Sequence, residues 1–326
     1  MQTNLLKINS LQLKNQVILA PMAGITSLPY RRIMKSFGAS LVFSEMVSAN
    51  GLIRDGHKTR ILLASHPEEF PLGIQLFGDD PKVLTTAVEM VMEESSLIDI
   101  NMGCPVKKVV RSGAGSALLQ EPRRVAKILK AIRKIYSGPL TIKIRSGWDE
   151  QSLNFLEIGH IAETEGVDAI TLHPRPRSQG FSGQARWEQI AGLKNTLNIP
   201  VFGSGDIFHP EDGLKMLRQT GCDAIMLGRG CYGNPWLISQ ILALLDGKEV
   251  ILPTPMEKFT VAAQHLKLHR QQFGDKKTLL EMRKHLCWYT RGLSGASIFR
   301  SHLQKTEDLD HALELTELFF SQAEAA

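Results

Sequence analysis

The segment LTIKIRSGWDEQSLNFLEIGHIAETEGVDAITLH (140–173) holds one repeat of a longer pattern: a short aliphatic run (LTIKIR, 140–145), a stretch of helical period (152–165) and a second short run (AITLH, 169–173). Runs this short and this nearly continuous in apolar character read as strands buried on both faces, and a helix between two of them makes a parallel crossover. Working outward, the run recurs as QVILA (16–20), SLVFSE (40–45), LGIQLF (72–77), LIDIN (97–101), IPVFGS (199–204) and AIMLG (224–228), with helical patterns over 81–94 and 122–136. Eight such units predict an α/β fold, a closed (β/α)8 TIM barrel rather than an open doubly wound sheet.

The turn KEVILPTPMEK (248–258) follows the last barrel helix and places a boundary near residue 250. Residues 1–250 are therefore expected to form the barrel, and 251–326 a C-terminal all-helical domain with helices over 257–273, 278–290 and 306–323. At 326 residues, 43% hydrophobic and 22% charged, the chain has material for a sizeable core and no compositional case for disorder. The N-terminal stretch lacks an uninterrupted apolar core and no later run approaches membrane-spanning length, so neither a targeting segment nor a membrane partner is expected. Cys104, Cys222, Cys231 and Cys287 match neither zinc-ligand spacing nor a dense disulfide framework. That pattern predicts a reducing, cytoplasmic setting and no metal.

Net charge is +5, which by itself favours a nucleic-acid partner only weakly. Its distribution says more. Between 256 and 305 there are ten Lys/Arg against three Asp/Glu, with four histidines besides.

Barrel active sites lie at the C-terminal ends of the strands, where the unusual polar residues collect. Pro21, Met22 and Ala23 follow the first run, Gln75 is placed at the end of the third, and Asn101 and Cys104 follow the fourth. Lys143 and Arg145 end the fifth, His173 the sixth, Ser204, Gly205 and Asp206 the seventh, and Gly228 and Arg229 the eighth. The seventh and eighth loops, where barrels often hold phosphate, read SGD and GRG; their glycines allow close backbone approach and Arg229 adds a fork of donors. Together they favour FMN over a metal or a dinucleotide, and no G-x-G-x-x-G follows a strand. Each residue taken singly also has a plain structural role: a packed thiol for Cys104, a strand-end lysine reaching solvent for Lys143, an asparagine capping its own turn for Asn101.

The segment IDINMGCPVKK (98–108) resembles the active-site signature of the tRNA-dihydrouridine synthases. LAPMAGITSLPYRR (19–32), SEMVSANGL (44–52), GIQLFGDDP (73–81), RSGAGSALL (111–119), TIKIRSGW (141–148), GDIFHPED (205–212), GRGCYGNPW (228–236) and RKHLCWY (283–289) resemble that family too, closest to its bacterial B-type subgroup. The resemblance implies a flavoenzyme that reduces the C5–C6 double bond of uridine in tRNA or another structured RNA. FMN supplies hydride and is renewed by NADPH or NADH, and Cys104 is the proton donor, an acid whose ordinary pKa of about 8.5 leaves it protonated at neutral pH. It further implies that Gln75, Lys143 and His173 flank the flavin, that Asn101 and Arg145 belong to the substrate pocket, and that tail residues such as Lys276, Arg283 and Lys284 meet RNA phosphates in a monomeric protein.

Two departures from the family pattern stand out. His173-Pro174-Arg175-Pro176-Arg177 replaces His-Gly-Arg-Thr-Arg, removing two backbone donors, and Ser204 stands where an asparagine usually precedes Gly-Asp. Two rival readings remain at this point. One is an FMN barrel acting on a free pyrimidine, similar to the dihydroorotate dehydrogenases, which need no basic appendage. The other is a flavin-bearing RNA-binding or regulatory protein without turnover.

Overall fold

The computed structural model describes residues 6–325. An antiparallel hairpin, β1 (Leu6–Ile8) and β2 (Leu11–Leu13), precedes the barrel. The barrel strands are β3 (Val17–Leu19), β4 (Val42–Phe43) with its continuation β5 (Val47–Ser48), β6 (Leu72–Phe77), β7 (Leu97–Met102), β8 (Leu140–Arg145), β9 (Ala169–His173), β10 (Val201–Ser204) and β11 (Ala224–Leu227). All pair in parallel in the order β3-β11-β10-β9-β8-β7-β6-β4. The ring closes where Leu19 N–H donates to Leu41 O and Ser40 N–H to Val17 O, both at 2.9 Å. The eight-stranded parallel barrel expected from the sequence is therefore present.

The run at 40–45 differs from its expectation, because the second strand is broken in two. Val42 and Phe43 pair with Leu72 and Gly73, and Val47 and Ser48 with Leu76 and Phe77. Four residues on one strand thus advance against three on the other, a one-residue bulge. Ser44 Oγ accepts the Gln75 N–H inside it, at 3.1 Å, and Glu45 is thrown out toward the mouth, where it accepts the Gly24 N–H.

The strands alternate. Ile98, Ile100, Ile142, Ile144, Ile170 and Leu172 face outward into the main core beneath the helices, while Asp99, Asn101, Thr141, Lys143, Thr171 and His173 take the intervening positions that face the barrel axis. The floor of that interior is apolar: Ile18, Phe43, Leu97, Phe202 and Ala224 pack on Leu6, Ile8 and Leu13 of the hairpin, which plugs the N-terminal end. Polarity rises along the axis toward the mouth.

Outside run α1 (Leu28–Ser36), α2 (Ala49–Ile53), α3 (His57–Ile61), α4 (Pro81–Val91), α5 (Lys107–Val110), α6 (Pro122–Ile135), α7 (Phe155–Thr164), α8 (Trp187–Thr196), α9 (Pro210–Thr220) and α10 (Trp236–Leu245). Their starts are legible: Asp80 accepts from Lys82 and Val83 N–H with Pro81 in the first turn, and Pro122 and Pro210 occupy the same position in α6 and α9.

The tail comprises α11 (Pro255–Tyr289), α12 (Ala296–Lys305) and α13 (Leu309–Glu324). Gly274 (φ 72, ψ 172) breaks α11 into two helices, as the two helical stretches in the sequence anticipate; α12 had no counterpart in that reading. Ala262, Leu266, Met282, Leu286, Leu303 and Phe320 form a core separate from the barrel's. Tyr30 of α1 meets the tail histidines His265 and His285, with ring centroids 5.7 and 5.6 Å away. No helix among the described residues is long and apolar enough to cross a membrane.

The tightest barrel–tail approach is at Gly233 (φ 65), where an added Cβ would sit 2.2 Å from the Trp288 carbonyl carbon and 2.4 Å from Tyr289 N. Gly247 (φ 71) has nothing within 4 Å of the same position. Gly247→Ala should therefore cost only the left-handed conformation, roughly 1–2 kcal/mol, whereas Gly233→Ala adds a backbone collision and should cost about 3 kcal/mol or more. Urea unfolding of the two variants measures the difference, and equal costs would contradict the seating of α11 on this turn.

Candidate active site

A cavity of about 310 Å³ opens at the C-terminal ends of the strands. Pro21, Met22, Ala23, Asn101, Cys104, Lys143, Arg145, His173, Ser204, Gly205, Asp206, Gly228 and Arg229 all line it, so the structure brings these sequence-designated residues together. Gln75 does not reach its wall. It lies in the middle of β6 rather than at its end, fully buried, with both ends of its amide engaged: Nε2 donates to Asp99 Oδ2 at 2.7 Å, and Oε1 accepts from Asn101 Nδ2 at 2.8 Å.

That contact extends into a relay. Thr141 Oγ1 donates to the other Asp99 oxygen at 2.6 Å, and Asn101 Oδ1 accepts the Gly103 and Cys104 N–H groups at 3.2 and 2.9 Å. The Cys104 carbonyl accepts from Ser116 N–H and Oγ at 3.1 and 2.9 Å. Both faces of the Gly103-Cys104-Pro105 turn are thus fixed, and the thiol is 8% exposed, on the cavity wall. Burial pushes its pKa up, with Arg145 opposing. The thiol stays protonated at neutral pH.

The rest of the wall is cationic. Burial lowers Lys143 to about 8, helped by Arg145 and opposed by Asp99. Its ammonium has no hydrogen-bond partner among the described residues. Arg145 donates to the Gly103, Pro176 and Gly180 carbonyls at 3.0, 3.1 and 2.8 Å, and burial lowers it to about 10. Burial and then the charges of Lys143, Arg145, Arg175 and Arg229 hold His173 well below its ordinary value, so the imidazole is neutral. Arg229 lies over Phe181 and Phe208, 4.5 and 5.5 Å from their centroids, and is tied to Asp206 at 3.3 Å. Gly230 accepts no side chain, since a Cβ there would lie 2.1 Å from Ile207 O. A partly apolar cavity with one free ammonium, an arginine and a glycine-lined rim suits an anionic aromatic ligand carrying phosphate.

Sequence reasoning missed Arg175 as a site residue. Its guanidinium is buried and pairs with Asp206 at 2.6 Å, donates to the Ser182 and Gly183 carbonyls, and lies 3.3 Å from His173 Nε2. Asp99 and Phe181 were missed as well. The signal for Asp99 was a lone carboxylate at an inward position of a buried strand.

The tail residues lie elsewhere. Lys276 is exposed on α11, and Lys284 donates to Gly24 O at 2.6 Å, bridging the tail to the loop after β3. Arg283 donates to the Thr306 carbonyl at the end of α12, so it helps hold the tail together.

The family described as Dihydrouridine synthase (Dus) matches residues 18–324. The chain belongs to the dihydrouridine synthase family. It is 42% identical to "tRNA-dihydrouridine synthase B" of Pasteurella multocida (strain Pm70) over 318 residues, 97% of this chain and 96% of that one. It is 37% identical to the protein of the same name from Pseudomonas aeruginosa over 321 residues, 98% and 97% of the two chains. Histamine dehydrogenase from Rhizobium sp. 4-9 superposes with a TM-score of 0.58 at 13% identity, over 99% of this chain and 64% of that one. The 6-hydroxypseudooxynicotine amine oxidase of Pseudomonas geniculata N1 gives 0.59 at 13%, over 75% and 49%. This chain spans less than two thirds of either structure, and at such identity the likeness is one of fold.

The depressed Lys143 pKa has a measurable consequence in the flavin-free protein. Between about 8 and 10.5 the unfolded state holds the lysine proton and the folded state releases it. The unfolded state binds more protons there, so stability rises with pH across that window. Relative to Lys143→Met, the wild type should gain on the order of 1–3 kcal/mol from pH 8 to 10.5, less than the full linkage value because the ammonium touches cavity solvent. Urea titrations of both proteins at the two pH values test this; a pH-independent difference would remove the buried-ammonium reading.

Proposed function

We propose that this chain is a flavin-dependent dihydrouridine synthase of transfer RNA, using FMN renewed by NADPH or NADH and acting as a cytoplasmic monomer. Residues 1–250 are its catalytic barrel and 251–326 its RNA-binding tail. The observation that carries this reading is a buried thiol, kept protonated, on the wall of a cation-lined cavity at the barrel mouth.

Lys143, Ser204, Gly205, Gly228 and Arg229 would hold the flavin, Lys143 by its free ammonium and Arg229 by charge toward the phosphate. When bound, reduced flavin supplies a hydride to C6 of the uracil. Cys104 then delivers its Sγ proton to C5, which quenches the negative charge developing there. The thiolate left behind faces Arg145, whose charge favours it, and regains a proton from water. Arg145 is fixed by three carbonyls, with Nη2 left to address a uracil carbonyl, and Asn101 holds the Cys104 turn. His173, neutral, acts as a hydrogen-bonding partner rather than an acid. Asp206 orients Arg175 and Arg229. Gln75 acts from behind the wall, through Asn101.

The tail's positive charge is partly neutralised by its own packing. Arg270 is paired with Asp275 and Asp310, and Arg283 with a carbonyl. Lys267 and Lys276 are exposed and without ion-pair partners among the described residues, and they offer the surface for phosphates, with Lys284 at the seam.

The decisive experiment separates the two half-reactions. Cys104→Ala should still bleach on addition of NADPH, because reducing the flavin needs no proton donor for uracil. Single-turnover reduction of tRNA by the prereduced variant should slow by about 10²–10⁴-fold, and Cys104→Ser should fare little better. A near wild-type rate in Cys104→Ala would refute the proton-donor assignment.

Lys267→Glu combined with Lys276→Glu should leave NADPH-driven bleaching intact, weaken tRNA binding and flatten its dependence on salt by a log–log slope of about 1.5–2. Superimposable binding curves for wild type and double variant across a salt series would exclude these lysines from the RNA surface.

A further inference from the structure

One turn in the second half of α11 carries three side chains that reach the barrel mouth. Lys284, His285 and Trp288 are spaced so that Trp288 lies three and four residues beyond the other two, which puts all three toward one side of the helix. Lys284 Nζ donates to the Gly24 carbonyl at 2.6 Å, and the Gly24 N–H donates to Glu45 Oε2. Gly24 is thereby clamped between the tail and the bulge that follows β4. It sits in a closed turn: Met22 O accepts the Ile25 and Thr26 N–H groups, both at 3.0 Å, and Thr26 Oγ1 accepts the Met22 N–H at 3.1 Å. Pro21, Met22 and Ala23, which lead into Gly24, line the active-site cavity.

The other two side chains bear on the loop after β11. His285 packs on Tyr30, with ring centroids 5.6 Å apart, and the Tyr30 hydroxyl donates to the Cys231 carbonyl at 2.9 Å. The Cys231 N–H donates in turn to Gly228 O at 3.0 Å, closing the glycine-arginine turn on the cavity rim. Trp288 stacks on Tyr232, centroids 4.3 Å apart and planes 13° from parallel, and Tyr232 lines the cavity as well. The loops after β3 and β11 are neighbours, because those two strands pair. Two adjacent walls of one cavity therefore rest on a single helical turn whose own packing, through Met282, Leu286 and Tyr289, belongs to the tail core.

We propose that the turn Lys284–Trp288 is a brace for the active-site cavity, and that flavin affinity therefore depends on the docking of the tail. A loop held from outside stays in its binding-competent form. Released, it spreads over other conformations, and the apparent affinity falls in proportion to the competent fraction. The half-buried Lys284 acts through Gly24 and the turn that carries Met22, so it is a positioning residue. The dependence is reciprocal: FMN in the cavity tightens the seat of α11 by the same factor. The inference rests on the flavin reading of the cavity and deepens it, since it makes the tail a determinant of cofactor retention.

The test uses the full chain freed of flavin and titrated with FMN, followed by quenching of flavin fluorescence. Lys284→Met keeps the stem and loses the donor, and Trp288→Leu loses the stack on Tyr232; each should raise the FMN Kd at least about fivefold. Lys284→Arg should recover most of the loss, because a single carbonyl can be met by either cation. Phe320→Leu thins the tail core without touching these contacts. It should lower the urea midpoint and leave the FMN Kd within about twofold of wild type. In flavin-free protein, amide hydrogen exchange should quicken over 21–26 in Lys284→Met and over 229–233 in Trp288→Leu. An unchanged Kd in either variant, including a Lys284→Met that weakens tRNA binding alone, or an equal rise in Phe320→Leu, would overturn the brace and leave the flavin reading standing. Wild-type protein that takes up no FMN, while the variants still quicken exchange, would overturn the flavin reading and leave the bracing of the loops standing.

Discussion

A carboxylate buried inside a barrel organises this protein. Asp99 is 1% exposed, and an ionised group so placed is tolerated only with hydrogen bonds and a compensating charge. Thr141 and Gln75 supply the hydrogen bonds, and Lys143 the charge; burial still raises the Asp99 pKa to about 6. Each of these groups also serves the mouth. Gln75 passes the contact to Asn101, Asn101 fixes the amides of the Cys104 turn, and Lys143 stands on the cavity wall. The position of the thiol is therefore set from inside the barrel rather than by the loop that carries it. A loop alone would leave its angle to thermal motion; a relay anchored in three adjacent strands does not.

Electrostatics at the mouth follow from the same economy of space. Four cations, Lys143, Arg145, Arg175 and Arg229, surround a neutral histidine, and the acidic group that balances the outer pair is Asp206. Asp206 reaches that position through a left-handed backbone (φ 56) just after Gly205 (φ 121), where an added Cβ would lie 3.0 Å from the His173 ring. The glycine therefore permits both the tight turn and the approach of His173. Arg145 is bonded to carbonyls and to no carboxylate among the described residues, so the site keeps positive charge that suits an anionic ligand.

Most of the barrel was legible because its signal is periodic and local. Short β-branched runs and helical stretches repeat eight times, and proline or aspartate marks several helix starts. What escaped was non-local. The break between β4 and β5 comes from a bulge whose hydrogen bond goes to Gln75, some thirty residues away in sequence. The hairpin β1–β2 consists of two three-residue strands, too short for periodicity to register. Helix α12 follows Gly295, a left-handed residue with no side chain to cap it, so nothing in the sequence announces it. Within the site, residues following strand ends could be picked out by position alone. Gln75 could not be placed, because a strand run shows which residues are present and not how far each sits below the mouth. Arg175 was hidden by its setting: between two prolines it reads as loop, and only the fold shows its guanidinium turned inward onto Asp206.

The two prolines that set this chain apart from the family pattern bear on whether the site can turn over at all. If the loop after β9 worked through its amides, replacing two of them would argue for an inert flavin binder. The loop instead works mainly through its carbonyls. Pro176 O accepts from Arg145, Pro174 O from the Arg186 N–H, and Arg175 O from the Ser146 N–H. Proline keeps its carbonyl while losing its donor and fixing φ, so at these two positions it stiffens the loop without removing a contact the site uses. Arg145 thereby gains a rigid acceptor on the side of its guanidinium away from Cys104's carbonyl-bound turn, and Arg175 is directed at Asp206 between two residues of restricted backbone. The departure therefore preserves the placement of the cations around the cavity, and it gives the non-turnover reading no physical support.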